Sequence, residues 1–246
     1  FTTVVMPVLC WYTGIQPPSS LNNATTKRAM KIFLDSSNVD EITKAVGTGL
    51  IDGVTTNPSL IYQSKKPFRE LVIKICEIIK GPVSVEVVSH SNEKMIEEGL
   101  ELAKIAKNIV IKLPMTWDGI QACKTLSAKK IPVNLTLCFS STQAILAAKA
   151  GAQYVSPFIG RLDDSNLDGI QLIREIKTIY TNYDFKTRIL AASIRTKNHI
   201  AQSALAGADI ATIPPKLFNT LPDHHLTDKG LETFNSDWEK SGQKIF

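Results

Sequence analysis

The chain has 246 residues, 43% of them hydrophobic and 21% charged, with a formal net charge of +5. That is enough for one large α/β domain or two small ones, with the balance of a soluble enzyme rather than a disordered or fibrous chain. No basic block is long enough for a nucleic-acid tail, and no apolar run is long enough to span a membrane.

Residues 1–29 differ from the rest. They lack Asp and Glu, contain Pro17-Pro18-Ser19-Ser20 and the polar tract Asn22-Asn23-Ala24-Thr25-Thr26, and precede Met30, a natural start. A targeting peptide, an extension or a cloning remnant would look like this, so the segment is expected to lie outside the fold. Residues 30–246 are expected to form the catalytic domain.

From residue 31 short β-branched runs alternate with stretches of helical period. Strands are predicted at Lys31–Ser36, Gly53–Asn57, Val83–Val88, Ile109–Pro114, Val133–Cys138, Tyr154–Ile159, Ile189–Ser193 and Ile210–Pro214. Helices are predicted at Val39–Gly47, Pro67–Lys80, Asn92–Ala106, Gly119–Ala128, Thr142–Ala150, Gly169–Tyr180 and Lys197–Ala206. Asn38 followed by Glu41 predicts a capping box on the first helix. Thr227–Lys240 is a further C-terminal helix that does not directly follow a strand. This alternation predicts a parallel sheet covered by helices, and eight units in about 217 residues is the size of a (β/α)₈ TIM barrel. A doubly wound open sheet is the alternative, but no GxGxxG turn occurs.

Cys10, Cys76, Cys123 and Cys138 form no CxxC pair; Cys76, Cys123 and Cys138 lie in apolar-periodic stretches and read as buried free thiols, which suits a reducing compartment. A cytoplasmic location is expected, or an organelle if residues 1–29 are a targeting remnant. His90, His199, His224 and His225 show no HxH or HExxH spacing, so no metal site is expected.

One residue breaks the apolar pattern most sharply. Lys112 lies within Ile109-Val110-Ile111-Lys112-Leu113-Pro114, which reads as a buried strand. Burial disfavours the ammonium, and a neutral amine can form a Schiff base with a carbonyl. The plainer reading is that it reaches water or pairs with a carboxylate. Its company favours chemistry. Asp35, Asn57, Glu86, Asn134, Thr136, Ser156 and Ser193 fall near the carboxyl ends of other strands, where barrel enzymes build their sites. From Asp35 to Ser193 the mean step is about 26 residues, one βα unit. Asn134 and Thr136 are two apart and share a face. An amine, two carboxylates and neutral hydrogen-bonders suit carbon–carbon cleavage through an iminium, with Asp35 and Glu86 moving protons. Arg161 and Arg195 follow the sixth and seventh strands, and with Ser193 they suit a phosphate monoester. Alternatively, each arginine pairs with a neighbouring acid, such as Asp163 or Asp164 for Arg161.

Residues 30–246 resemble the transaldolases of the short-subunit group related to the fructose-6-phosphate aldolases. The resemblance rests on Phe33-Leu34-Asp35-Ser36, Gly53-Val54-Thr55-Thr56-Asn57-Pro58-Ser59-Leu60, Val110-Ile111-Lys112-Leu113-Pro114-Met115-Thr116, Val133-Asn134-Leu135-Thr136-Leu137, Ser156-Pro157-Phe158-Ile159-Gly160-Arg161 and Ala192-Ser193-Ile194-Arg195. It implies a (β/α)₈ barrel and a class I mechanism without metal or cofactor. It implies transfer of a dihydroxyacetone unit from sedoheptulose 7-phosphate to glyceraldehyde 3-phosphate, giving erythrose 4-phosphate and fructose 6-phosphate. By position Lys112 matches the Schiff-base lysine, Asp35 the acid/base aspartate and Glu86 the glutamate that works with the catalytic water. Asn57, Asn134, Thr136 and Ser156 match groups lining the site; Arg161, Ser193 and Arg195 match phosphate contacts. Members of the group form homo-oligomeric rings, commonly decamers, with the C-terminal helix reaching a neighbour.

The resemblance also separates subtypes. Aldolases that release free dihydroxyacetone carry Gln at the Glu86 position and Tyr at the Phe158 position. Glu86 and Phe158 here imply transfer, because phenylalanine has no hydroxyl with which to help protonate the enamine. The alternatives are a lyase of that aldolase kind and a sugar-phosphate-binding barrel without turnover. The intact set of Lys112, Asp35 and Glu86 argues against the latter.

Overall fold

The structure is a computed structural model and describes residues 29–246. The extension assigned to residues 1–29 therefore lies outside the described residues, apart from Ala29. Eight parallel strands close into a barrel in chain order. They are β1 (Lys31–Asp35), β2 (Gly53–Thr55), β3 (Val83–Glu86), β4 (Ile109–Pro114), β5 (Val133–Cys138), β6 (Tyr154–Pro157), β7 (Arg188–Ala191) and β8 (Ile210–Ile213). The helices between them are α1 (Val39–Gly47), α2 (Pro58–Ser64), α3 (Phe68–Ile78), α4 (Asn92–Ala103), α5 (Trp117–Ala128), α6 (Ser141–Ala150), α7 (Ile159–Asp164), α8 (Gly169–Asn182) and α9 (Lys197–Leu205). Two more, α10 (Pro215–Asn219) and α11 (His225–Ser241), follow β8. No helix among the described residues is long and apolar enough to cross a membrane.

The fold is the TIM barrel with an extra C-terminal helix that the alternation predicts. Two strands, β4 and β5, keep their predicted bounds, while the others stop short. Asn57 leaves β2 because its side chain caps α2, accepting from the Leu60 amide at 3.0 Å with Pro58 in the first turn. Ile159 leaves β6 because it opens α7. Three helices were not anticipated: α2, α7 and α10, of 7, 6 and 5 residues. None is long enough to show a helical period. The predicted capping box is half formed. Asn38 accepts from the amides of Asp40 and Glu41, but the Glu41 carboxylate takes the Ser36 hydroxyl at 2.9 Å instead of the Asn38 amide.

Apolar residues pack in two layers. One lies between sheet and helices. The other fills the barrel: Phe33, Val110, Tyr154, Leu190 and Ile210, one from each of five strands. The Phe33 and Tyr154 rings meet edge to face at 6.2 Å. Gly53 makes that plug possible, since a Cβ there would stand 2.7 Å from the Phe33 ring. Burying each such side chain contributes roughly 1.5–3 kcal/mol. The lower lumen is therefore largely apolar, with Ser84 on β3 a buried polar residue at the level of Val110. Cys123 and Cys138 are buried, and burial pushes their thiols up to about 11 and about 12. Cys76, expected to be buried as well, is only partly so.

The strand bearing Lys112 is pinned by its successor helix. Thr116 caps α5 by accepting from the Gly119 amide at 3.1 Å, and a Cβ on Gly119 would fall 2.0 Å from the Pro114 carbonyl oxygen. Gly119→Ala should therefore destabilise the fold by about 1–3 kcal/mol, as overpacking does. Thermal unfolding would show it as a melting point lowered by ~2–4 °C per kcal/mol. An unchanged melting point would mean that this close approach is not needed.

Candidate active site

The site is set by register. Glu86, Lys112 and Asn134 are paired partners on β3, β4 and β5, so all three side chains project from one level of the sheet. Asp35 pairs with Thr55 on the β1–β2 side. Lys112 is 6% exposed. Its Nζ lies 2.8 Å from Glu86 Oε2 and donates to the Thr56 carbonyl at 3.0 Å. The lysine is therefore buried with partners, and the plainer reading of its sequence context holds as far as geometry goes.

Above this level a cavity opens at the carboxyl ends of the strands. Lys112, Asp35, Asn57, Thr136, Ser156 and Phe158 line it, as do Arg161 and Ser193. Thr55 and Thr212 line it too, and the sequence reading missed both. Thr212 is the polar residue of an otherwise apolar β8, and Thr55 stands two before Asn57. Those are the signals that could have found them. The two threonines form a relay to Asp35. Thr55 donates to Asp35 Oδ1 at 2.7 Å, so the 2.6 Å contact between the threonine hydroxyls has Thr212 donating. Burial pushes the Asp35 carboxyl above its ordinary range, opposed by the Thr55 hydrogen bond and by the charge of Lys112.

Three of the expected residues do not line the cavity. Asn134 is fully buried below it, accepting from the Ser156 hydroxyl at 2.8 Å and donating to Ser84 Oγ at 3.3 Å. Its geometry orients Ser156 rather than meeting the cavity itself. Glu86 stands behind Lys112 and borders a separate groove with Val87, Val88 and Leu102. The loop after Glu86 is fixed by Glu98, which accepts from the amides of Val88 and Ser89 at 2.9 and 3.1 Å. Arg195 is engaged elsewhere. Its guanidinium makes a two-pronged contact with Asp164, which holds that carboxyl below its usual range. The pairing with a neighbouring acid suggested for Arg161 thus occurs at Arg195. Arg161 makes no ion pair among the described residues and lies over the Phe158 ring at 5.0 Å.

The Thr136 hydroxyl is buried and has no hydrogen-bond partner among the described residues. Buried hydroxyls are seldom left so, and Thr136 is one of the residues that line the cavity. The β5 backbone is irregular just beyond, with a register shift between Leu135 and Cys138 and Leu137 at φ 59°.

A closed barrel with an amine, carboxylates and hydroxyls at the carboxyl ends of its strands defines a (β/α)₈ barrel enzyme. Comparison with known proteins narrows the class. The transaldolase/fructose-6-phosphate aldolase family profile matches residues 32–245. A "Probable transaldolase" from Parvibaculum lavamentivorans is 58% identical over 217 residues, 88% of this chain and all of that one. Another from Roseobacter denitrificans is 59% identical over 216 residues, with the same coverage. Among solved structures a flavocytochrome b2 variant superposes with a TM-score of 0.57 at 14% identity, covering 78% of this chain and 58% of that one. A mandelate oxidase variant gives 0.53 at 12%, covering 78% and 67%. These two likenesses concern the fold alone. The chain belongs to the transaldolase/fructose-6-phosphate aldolase family and has its transaldolase-type function.

The raised Asp35 carboxyl has a consequence for stability. A folded-state value above the unfolded one means a contribution fully present below the unfolded value of 3.8 and lost as pH rises through the folded value. Asp35→Asn keeps an acceptor for Thr55 and removes that loss. The variant should melt higher than the parent at pH 7.5, with the gain shrinking as the pH is lowered toward 4.5. A lower melting point at pH 7.5 would show that the ionised carboxylate stabilises the fold.

Proposed function

We propose that the chain is a transaldolase working through a Schiff base on Lys112. It moves a dihydroxyacetone unit from sedoheptulose 7-phosphate to glyceraldehyde 3-phosphate, giving erythrose 4-phosphate and fructose 6-phosphate in the non-oxidative pentose phosphate pathway. The observation that carries this reading is the Lys112 amine, buried at a cavity wall with Glu86 at 2.8 Å to take its proton. The names of the relatives, "Probable transaldolase", agree with it.

This reading assigns a group to each step. Lys112 passes a proton to Glu86, and the freed amine attacks the ketose carbonyl. Glu86, relaying through a water between it and the substrate, returns the proton to the carbinolamine oxygen; water leaves, and an iminium remains. Asp35 takes the proton of the neighbouring hydroxyl as the carbon–carbon bond breaks, and erythrose 4-phosphate departs. The bonding electrons stay on the enzyme as an enamine. That enamine attacks the aldehyde of glyceraldehyde 3-phosphate, and Asp35 gives its proton to the new hydroxyl. Water then hydrolyses the iminium. A carboxyl shifted upward by burial is a stronger proton acceptor than an ordinary aspartate. Asn57, Thr136 and Ser156 hold substrate hydroxyls, with Asn134 orienting Ser156. Arg161 and Ser193 take the phosphate, and Arg195 joins them by exchanging Asp164 for it.

Release of free dihydroxyacetone is the second reading, because the family description covers both activities. Glu86 and Phe158 disfavour it. Helix α11 has no buried residue and exposes Leu231, Phe234 and Trp238, which supports a homo-oligomeric ring in which it packs on a neighbour.

A coupled assay separates the readings. Fructose 6-phosphate should be consumed rapidly with erythrose 4-phosphate present and hardly at all without it. Equal rates in both would establish the lyase. Lys112→Ala should lose at least about a thousandfold in turnover while remaining folded by circular dichroism. A folded variant with full turnover would refute the mechanism.

A further inference from the structure

Helix α7, which carries Arg161, has only six residues and cannot hold itself in place. Its first two amides are tied to the loop between β7 and α9: Ile159 donates to the Ala192 carbonyl and Gly160 to the Ser193 carbonyl, both at 3.0 Å. The approach is as close as glycine allows, since a Cβ on Gly160 would meet Ser193 O at 2.4 Å and Arg195 Nε at 2.8 Å. The other end of α7 is tied by a side-chain chain. Asp163 Oδ2 lies 3.0 Å from His199 Nε2, and Asp163 Oδ1 accepts from the Gly169 amide at 3.1 Å. His199 Nδ1 accepts from the Arg195 amide at 3.3 Å. A backbone amide only donates, so Nδ1 carries a lone pair and the ring proton sits on Nε2, facing Asp163.

The loop so held includes Ser193, whose φ of 57° lies in the left-handed region. A non-glycine residue persists there only where its surroundings over-determine it. The Gly160–Ser193 bond and the His199–Arg195 bond supply that constraint two residues apart. The neighbouring Arg195–Asp164 pair is about half exposed, whereas the His199 side chain is 15% exposed with both ring nitrogens engaged. Solvent-exposed pairs of the first kind hold structure weakly. Neither Asp163 nor His199 lines the cavity, and the reaction leaves both unused.

We propose that Asp163 and His199 are positioning residues for phosphate selection, fixing Arg161 on α7 against Ser193 on the following loop so that both meet one phosphate. This rests on the reading of Arg161 and Ser193 as the phosphate contacts. The pair acts through those two residues and does not touch substrate.

The test is steady-state kinetics with fructose 6-phosphate and with unphosphorylated fructose as donors, under one acceptor, for the full chain and four variants. Arg161→Gln reads the phosphate contact itself: it should raise KM for fructose 6-phosphate at least about tenfold more than it raises KM for fructose. His199→Leu and Asp163→Asn should each raise KM for fructose 6-phosphate roughly tenfold, the scale of a displaced binding group, with kcat within about threefold. Their kcat/KM for fructose should stay near that of the parent. His199→Gln, which keeps a donor toward Asp163, should recover part of the loss. If Arg161→Gln leaves both donors unaffected, the phosphate reading fails and the proposal with it. If Arg161→Gln behaves as stated but Asp163→Asn and His199→Leu match the parent, or weaken both donors equally, the positioning role alone is overturned.

Discussion

A lysine buried at the end of an apolar strand needs an acceptor for the protons it carries, and the top of this barrel is arranged around that need. Lys112 finds Glu86 on β3 and the Thr56 carbonyl just past β2. Both acceptors are in reach only when three successive strands keep their register, so closing the barrel and assembling the site are one constraint. The pair is not an obvious gain in stability. Buried ion pairs often do no better than apolar side chains of the same volume, because desolvation offsets the attraction. Its presence above a largely apolar lumen is better explained by what an amine beside a proton acceptor can do.

The two carboxylates meet different surroundings. Glu86 faces the lysine from behind, outside the cavity lining. Asp35 lies in the cavity wall at the end of the Thr212–Thr55 relay, its carboxyl raised by burial. Thr136, in the lining of the same cavity, adds a buried hydroxyl with no hydrogen-bond partner among the described residues.

Much of this was legible in the chain. Strand–helix alternation gives the barrel because short β-branched apolar runs and stretches of helical period leave different patterns, and β4 and β5 even keep their bounds. The rim was legible because a polar residue in an apolar strand is conspicuous, as with Lys112 and Asn134. What escaped was decided by tertiary contact. Helices α2, α7 and α10 are too short for periodicity and are held by caps and cross-loop bonds. Asn134 is two residues from Thr136 and on the same face, but depth in the lumen puts one below the cavity and the other in its wall. Arg195 carries the right charge at the right strand end, yet α7 brings Asp164 within reach of it first. Pairings across 31 residues leave no mark in local sequence. The network of Asp163 and His199 went unnoticed for the same reason.

The central claim is that Lys112 forms the covalent link to substrate. Borohydride reduction of the enzyme with fructose 6-phosphate, followed by peptide mass mapping, tests it most directly. The account predicts one reduced dihydroxyacetone adduct per chain, on the peptide containing Lys112 and absent from Lys112→Ala. An adduct on another lysine, or an active enzyme that yields none, would contradict it.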